Sequence, residues 1–181
     1  MYFSKRALCN IPVSLSTPRF SKYLDVATSD LEAVKLYQWN VELSSAYYIP
    51  MHFYEIILRN TVSEAIKLNY GPDWHRNDNF RLSLDNNNRQ NLASAIRNAK
   101  RTHNTNRPTI GAVIAESKFV FWEKMFTYRH DSRIWDNYFD IVFPLSDNSL
   151  AIREKRNFIY NVTEETRKLR NRIAHHVSGD N

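Results

Sequence analysis

The residues best suited to chemistry lie together near the C-terminal end of the sequence. Residues 167–176 read RKLRNRIAHH, so four cations and two imidazoles fall within one short segment. On a helix, Asn171 and His175 would share a face, where an amide can fix the tautomer of an imidazole. Arg170 beside such a histidine suits a phosphodiester, because the guanidinium would neutralise phosphate oxygens while the imidazole moves a proton near neutral pH.

The same segment also has a purely structural explanation. Lys168, Arg170 and His175 would each stabilise the C-terminus of a helix through its dipole. An arginine followed by a histidine at this spacing also arises by chance. A second match, Arg97 followed by His103, runs from a helix end into a loop, and we interpret it as coincidental. Spacing alone therefore leaves the catalytic and the structural interpretations open.

Other patterns of catalysis or ligand binding are missing from the sequence. It contains neither GxxxxGK[ST] nor GxGxxG, which excludes the common nucleotide-phosphate loops. The only adjacent histidines are His175 and His176, and neighbouring positions on a helix cannot easily share one metal ion. Cys9 is the single cysteine, which excludes an intramolecular disulfide and a multi-cysteine cluster. We therefore expect neither a metal nor a cofactor.

The composition predicts a helical protein with a polyanionic partner. Only 3 of 181 residues are glycine, which argues against a sheet-rich fold with many tight turns. The net charge of +6 favours a polyanion, although it is also an ordinary charge for solubility. No apolar run approaches the ~20 residues that span a bilayer. We expect a soluble cytoplasmic protein that does not associate with membranes.

Apolar periodicity and the placement of proline and glycine predict an all-α fold of five to seven helices. We expect one helical domain over residues 30–176, an N-terminal extension over 1–29 and a C-terminal tail over 177–181. The expected helices cover residues 30–48, 51–69, 86–101, 114–128 and about 149–175, with a short segment at 132–138 and a loop at 73–84. The first helix carries a stripe of Leu36, Trp39, Leu43 and Tyr47, and the last a buried stripe of Ile152, Ile159, Val162, Thr166, Leu169 and Ile173.

Six short segments of the sequence, taken in their order along the chain, resemble those of a known protein family. They read YQWNVELS at 37–44, EIILRN at 55–60, YGPDW at 70–74, GAV to FW across 111–122, IW at 134–135 and LRNRIAHH at 169–176. Taken together, they resemble the Abi-like (abortive infection) family of the HEPN superfamily over residues 30–176. The family signature usually continues past the second histidine with Glu-Pro, whereas VSGDN follows in this sequence.

The resemblance implies a HEPN-like helical bundle that forms a two-fold homodimer, with the Arg–His motifs meeting near the axis. Many HEPN proteins are metal-independent ribonucleases of phage-defence or toxin–antitoxin systems, which implies RNA and a cognate antitoxin as partners. The catalytic residues implied are Arg170, Asn171, His175 and His176. The residues implied to bind RNA or support the site are Glu55, Arg59, Asn60, Arg172 and Lys168. Glu55 and Arg59, four residues apart, can equally be a brace of the fold.

Three functions follow from these patterns. The first is an endoribonuclease in which His175 deprotonates a ribose 2′-OH and Arg170 stabilises the phosphorane. The second is a non-catalytic helical dimer that binds RNA or a nucleotide with the same cations. The third is a structural interaction module in which Arg170, Asn171 and His175 form an interface network.

Overall fold

The computed structural model describes residues 17–175, and it is all-α across them, as the sequence predicts. No strand occurs within this range. Three further short turns, of the 3₁₀ or π type, cover 74–76, 128–130 and 131–135. The α-helices are α1 (Thr17–Leu24), α2 (Asp30–Tyr70), α3 (Asp78–Ser83), α4 (Asn86–Thr102), α5 (Ile110–Glu116), α6 (Phe119–Lys124), α7 (Asp136–Val142) and α8 (Ile152–His175).

Helix α2 is continuous where the sequence predicts two helices. Pro50 lies inside α2, although a proline within a helix costs about 3 kcal/mol because it removes one hydrogen bond and crowds the preceding turn. Residues 45–50 are exposed, so water can hydrate the carbonyl that Pro50 leaves without a donor. The C-terminal end is as predicted, because Gly71 follows α2 with a φ of +85°, which glycine adopts without strain.

The chain divides into two compact units. The terminal unit contains residues 17–52 and 168–175 of the described range, and the central unit contains residues 53–167. In the terminal unit, Phe20 of α1 packs on Ala33 and Val34 of α2. The stripe predicted for this part of α2 is not its buried face, since Trp39 is 61% exposed and Tyr47 is 47% exposed. Residues 17–24, predicted to lie in an extension, thus form a helix with its own buried contact.

Three fully buried tryptophans, Trp74, Trp122 and Trp135, form the centre of the core in the central unit. The loop predicted over 73–84 is wrong. It contains a 3₁₀ turn and α3, and Phe80 packs against Trp74 with ring centroids 5.1 Å apart. The Asn77 side chain caps α3 by accepting a hydrogen bond from the backbone N–H of Phe80 at 3.1 Å. Two large apolar side chains in a short segment therefore draw it into the core.

The single helix predicted over 114–128 is also wrong. Helix α5 ends before Ser117, whose hydroxyl donates to the carbonyl of Val113 at 2.7 Å. Such a bond satisfies a carbonyl at the helix end and favours a stop there. Helix α6 begins two residues later, and the following turns bring Phe126 and Trp135 into a stacked contact at 4.6 Å.

Helix α8 is held by polar side chains as well as apolar ones. Arg156, Lys155 and Thr163 are buried, whereas Val162 of the predicted stripe is 37% exposed. The Arg156 guanidinium donates to the carbonyl of Phe126 at 2.7 Å and lies 2.6 Å from the carboxylate of Asp131. Buried cations look like surface residues in a sequence, and the predicted stripe therefore misses them.

Within residues 17–175, no helix is both long enough and apolar enough to cross a membrane.

Candidate functional site

Most of the predicted catalytic segment lies on one unbroken helix. Helix α8 continues through His175, so the predicted residues before it occupy its last two turns. Four of the predicted site residues have exposed side chains there, and His176 lies outside the described residues. The exposed residues are Lys168, Arg170, Asn171 and Arg172.

The register of α8 places part of this set on the face of His175. Successive residues of an α-helix are rotated by about 100°, so Asn171 lies about 40° from His175 around the axis. By the same count Lys168 lies about 20° away and Arg172 about 60° away. An amide and two cations thus share the face of the imidazole-bearing position, and all three are exposed to solvent. This face offers positive charge and hydrogen-bond donors to an anionic ligand.

Arg170 lies on a different side of the helix. The same geometry separates it from His175 by about 140°. Its neighbours Leu169 and Ile173 are partly buried, so Arg170 stands next to the packed side of the helix while remaining exposed itself. A single copy of α8 therefore does not present Arg170 and His175 to the same phosphate.

The second predicted cluster is brought together in the central unit. Glu55 is 5% exposed and forms an ion pair with Arg59 one turn along α2. Arg59 also donates to the carbonyl of Ala115 on α5, with an N···O distance of 3.4 Å. Asn60 is exposed. Because the carboxylate and the guanidinium neutralise each other and reach from α2 to α5, this geometry fits a brace of the fold.

The structure also contains a buried carboxylate that sequence reasoning missed. Glu123 is 0% exposed, forms an ion pair with Arg167 of α8, and lies 2.8 Å from the ammonium of Lys124. The Lys124 ammonium also donates to the hydroxyl of Tyr160 at 2.9 Å. Burial disfavours the charged amine, but the hydrogen bonds to Glu123 and Tyr160 outweigh burial and raise the pKa of Lys124. The available signal was a glutamate directly after the aromatic run FVFW, because a carboxylate at such a position needs cations.

An apolar groove of about 140 Å³ lies between α2 and α8 within the central unit. Its surface includes Ile57, which is 62% exposed, and Phe158, which is 68% exposed. At its edge the Tyr54 hydroxyl is 2.7 Å from the hydroxyl of Thr163, and burial raises the pKa of this tyrosine. The groove is lined by Tyr54, Ile57, Leu58, Thr61, Phe143, Phe158, Ile159 and Val162.

The other histidines differ in their surroundings. His75 and His130 are each 1% exposed, and burial lowers the pKa of both, that of His130 to about 4. Both are therefore neutral near pH 7 and shielded from solvent. His52 and His103 are exposed. No group of three or more His, Cys, Asp and Glu side chains within the described residues could hold a metal ion.

No family model matches the chain, and no curated protein or solved structure is significantly similar to it. The resemblance of its short segments to the Abi-like family therefore stays a prediction.

Proposed function

We propose that the protein is a metal-independent endoribonuclease of the phage-defence or toxin–antitoxin type, and that the C-terminal end of α8 cleaves RNA. The observation that carries this proposal is the exposed polar face around His175. On one continuous helix, Lys168, Asn171 and Arg172 lie within about 60° of that position. Cations and an amide around an imidazole are the groups that transesterification of a phosphodiester requires.

The reaction uses the RNA itself as the source of the nucleophile. His175 takes the proton from a ribose 2′-OH, and the oxygen attacks the adjacent phosphorus. The bond from phosphorus to the 5′-oxygen breaks, and that oxygen receives a proton from a second acid. The products carry a 2′,3′-cyclic phosphate and a 5′-hydroxyl. Because the nucleophile is already attached to the substrate, neither a water molecule nor a metal ion has to be positioned for attack.

The separation of Arg170 from His175 favours a site built from two copies of the chain. A two-fold axis near the end of α8 would bring Arg170 of one copy towards His175 of the other, and would supply both a base and an acid. The exposed side chains of Trp39 and Tyr47, which belong to the same unit as the end of α8, offer material for an interface between identical copies. Within this homodimer, Glu55 and Arg59 stabilise the fold, and a cognate antitoxin would cover the basic ends.

The test of the activity is RNA cleavage by purified protein in EDTA, followed by analysis of the product ends. We expect cleavage with cyclic phosphate ends, a loss of at least about 100-fold in His175→Ala, and no cleavage when the ribose at the scissile position lacks its 2′-OH. His52→Ala removes an exposed imidazole from α2 and should cleave like the wild type. Equal cleavage by the His175 and His52 variants, or cleavage of the deoxy substrate, would contradict the proposal.

The shared site has its own test. A mixed dimer of one wild-type chain and one Arg170→Ala/His175→Ala chain can be isolated with two different tags. If each site uses both chains, its activity should fall far below half of the wild-type dimer. Activity close to half would indicate two independent sites, and a monomer at micromolar concentration would exclude the shared site. RNA binding without cleavage by a dimer would instead indicate the non-catalytic alternative.

A further inference from the structure

A second basic surface lies around the C-terminal end of α4 in the central unit. Between Asp85 and Glu116 the sequence has no acidic residue, while it carries five cations and one histidine. A stretch of 30 residues with this charge asymmetry exceeds what solubility requires, because ordinary surfaces intersperse both signs. The basic residues are Arg89, Arg97, Lys100, Arg101, His103 and Arg107.

Helical spacing gathers three of the cations on one face. Arg97, Lys100 and Arg101 are exposed, and Lys100 and Arg101 stand three and four residues after Arg97, so that their Cβ atoms are about 5–6 Å from that of Arg97. Arg97 is oriented by a hydrogen bond of 2.9 Å from its guanidinium to the hydroxyl of Ser94. Three long cationic side chains therefore project from the same part of α4.

The loop after α4 adds Arg107 and is held against the helix end. The N–H of Thr105 donates to the carbonyl of Lys100 at 3.0 Å, and the N–H of Arg107 donates to the hydroxyl of Thr105 at 3.2 Å. The guanidinium of Arg76 donates to the carbonyl of Pro108 at 3.1 Å and closes the loop from the other side. We call Arg97, Lys100, Arg101, His103 and Arg107 the α4 basic surface.

Helix-dipole stabilisation accounts for only part of this arrangement. Lys100 and Arg101 lie in the last turn of α4, where cations are favoured, but Arg97 precedes that turn and Arg107 follows the helix. The Glu116 carboxylate lies close to the end of α4 and accepts a hydrogen bond from the Thr102 hydroxyl at 3.0 Å. Neither the dipole of α4 nor the negative charge of Glu116 is therefore enough to balance the positive charge of this surface.

The chemistry of the surface identifies the kind of polyanion that it fits. Between Leu82 and Tyr128, no large apolar side chain that the structure describes is exposed. Apart from the imidazole of His103, this described surface exposes no aromatic ring on which unpaired bases could stack, and without apolar side chains it cannot insert into a lipid interface. Arginine forks suit phosphate oxygens, and the exposed amides of Asn104 and Asn106 can exchange hydrogen bonds with ribose hydroxyls.

We propose that the α4 basic surface binds the sugar–phosphate backbone of double-stranded RNA, without reading its sequence. The choice of RNA over another duplex polyanion rests on the proposed function. The preference for a duplex is independent of that function, because it comes from the charge of the surface and from its lack of exposed Phe, Tyr and Trp side chains. A duplex presents phosphates and 2′-hydroxyls at its surface and hides its base faces, which matches the groups that this surface offers. The surface would hold a stem while a different part of the protein acts on the RNA.

The experiment is fluorescence anisotropy with a labelled RNA hairpin that has a stem of about 20 base pairs, between 50 and 200 mM salt. All proteins carry His175→Ala, so that cleavage does not disturb binding. The variant Arg97→Gln/Lys100→Gln/Arg101→Gln is compared with Arg129→Gln/Arg133→Gln/Arg153→Gln, which removes the same charge from other exposed positions. We expect binding at least about 10-fold weaker in the α4 variant and about 3-fold or less weaker in the control. The slope of log K against log salt should become shallower by about 2 to 3 in the α4 variant alone.

Equal weakening in the two triple variants would mean that net charge alone drives binding, and would overturn the proposal. So would failure of the parent protein to bind the hairpin, or tighter binding of a single strand of equal length. If the α4 triple variant melts early, Arg97→Gln and Arg101→Gln are each compared with Arg133→Gln, and each should make the slope shallower by about 1. Cleavage is scored separately in the proteins that retain His175. If the α4 variant loses hairpin binding but the wild-type protein does not cleave RNA, only the proposed function is refuted. If the wild-type protein cleaves RNA but the α4 variant binds the hairpin as well as the control variant does, only the proposed role of this surface is refuted.

Discussion

The two parts of α8 use the same residue types in opposite surroundings. In the central unit, Lys155 and Arg156 are buried beside the carboxylates of Asp140 and Asp131, and Arg167 pairs with the fully buried Glu123. In the terminal unit, the cations of α8 are exposed, namely Lys168, Arg170 and Arg172. The buried cations hold the helix in place, whereas the exposed cations are accessible to a ligand.

This difference has an energetic side. A buried cation that loses its partner, or a carboxylate left behind by its cation, costs several kcal/mol. An exposed cation adds at most about 1 kcal/mol to stability, whatever surface partner it has. Substitutions in the first part of α8 should therefore change stability, and substitutions at its end should leave stability nearly unchanged. On the proposed function, the substitutions at the end should change RNA binding and cleavage.

The largest expected effect is at Arg156. Replacing it with methionine keeps most of the side-chain volume but leaves the Asp131 carboxylate and the Phe126 carbonyl without their donor. We expect a loss of about 3 kcal/mol in the free energy of unfolding, measured by urea denaturation. The control Arg172→Met removes an exposed cation and should change stability by about 0.5 kcal/mol or less.

A second substitution sharpens this test. In Arg156→Met/Asp131→Asn the uncompensated carboxylate is removed, so part of the lost stability should return. Equal stability of Arg156→Met and Arg172→Met would show that the buried ion pair does not hold α8, and the contrast between the two parts of the helix would fail.

The next effect is a dependence of stability on pH that comes from His130. Burial, reinforced by the charges of Arg129 and Arg133, lowers the pKa of His130 in the folded protein to about 4. An unfolded histidine has a pKa near 6.5, so between these values the unfolded chain binds more protons and stability falls as the pH falls. We expect a loss of about 2 kcal/mol between pH 7 and pH 5 from this group.

His130→Gln should remove that part of the pH dependence, whereas the exposed His52→Gln should keep it. The measurement is urea denaturation of each protein at pH 7 and pH 5. An unchanged pH dependence in His130→Gln would mean that another group is responsible.

The sequence predicts well those helices whose buried face is apolar. Leu58, Val62 and Ile66 of α2 are buried four residues apart, and Leu92 and Ala99 of α4 are buried seven residues apart, which are spacings of a single helix face. Such positions are predictable because the periodicity and the burial have the same cause, the removal of apolar surface from water.

Helix breaks and buried charges are harder to predict. Pro50 does not end α2, whereas Ser117 ends α5, because each outcome depends on which neighbouring groups can satisfy the backbone. Arg156 and Glu123 are of residue types that are usually exposed, and only the contacts between distant segments explain their burial.

The candidate site was predictable where it depends on helical spacing and not where it depends on packing between distant segments. Asn171 and His175 share a helix face by spacing alone, and the structure continues α8 through both. The separation of Arg170 from His175 follows only once that continuous helix is in place. The brace between Glu55, Arg59 and the carbonyl of Ala115 needs α2 and α5 to pack together, which no local pattern contains.

The most direct test of the division within α8 measures stability and cleavage on the same Arg170 variants. Arg170→Ala should unfold within about 1 kcal/mol of the wild type and cleave RNA about 100-fold more slowly. Arg170→Lys should be nearly as slow, because lysine keeps the charge but loses the planar fork that holds two phosphate oxygens. A variant that loses several kcal/mol of stability, or one that cleaves like the wild type, would contradict a functional role for the exposed end of α8.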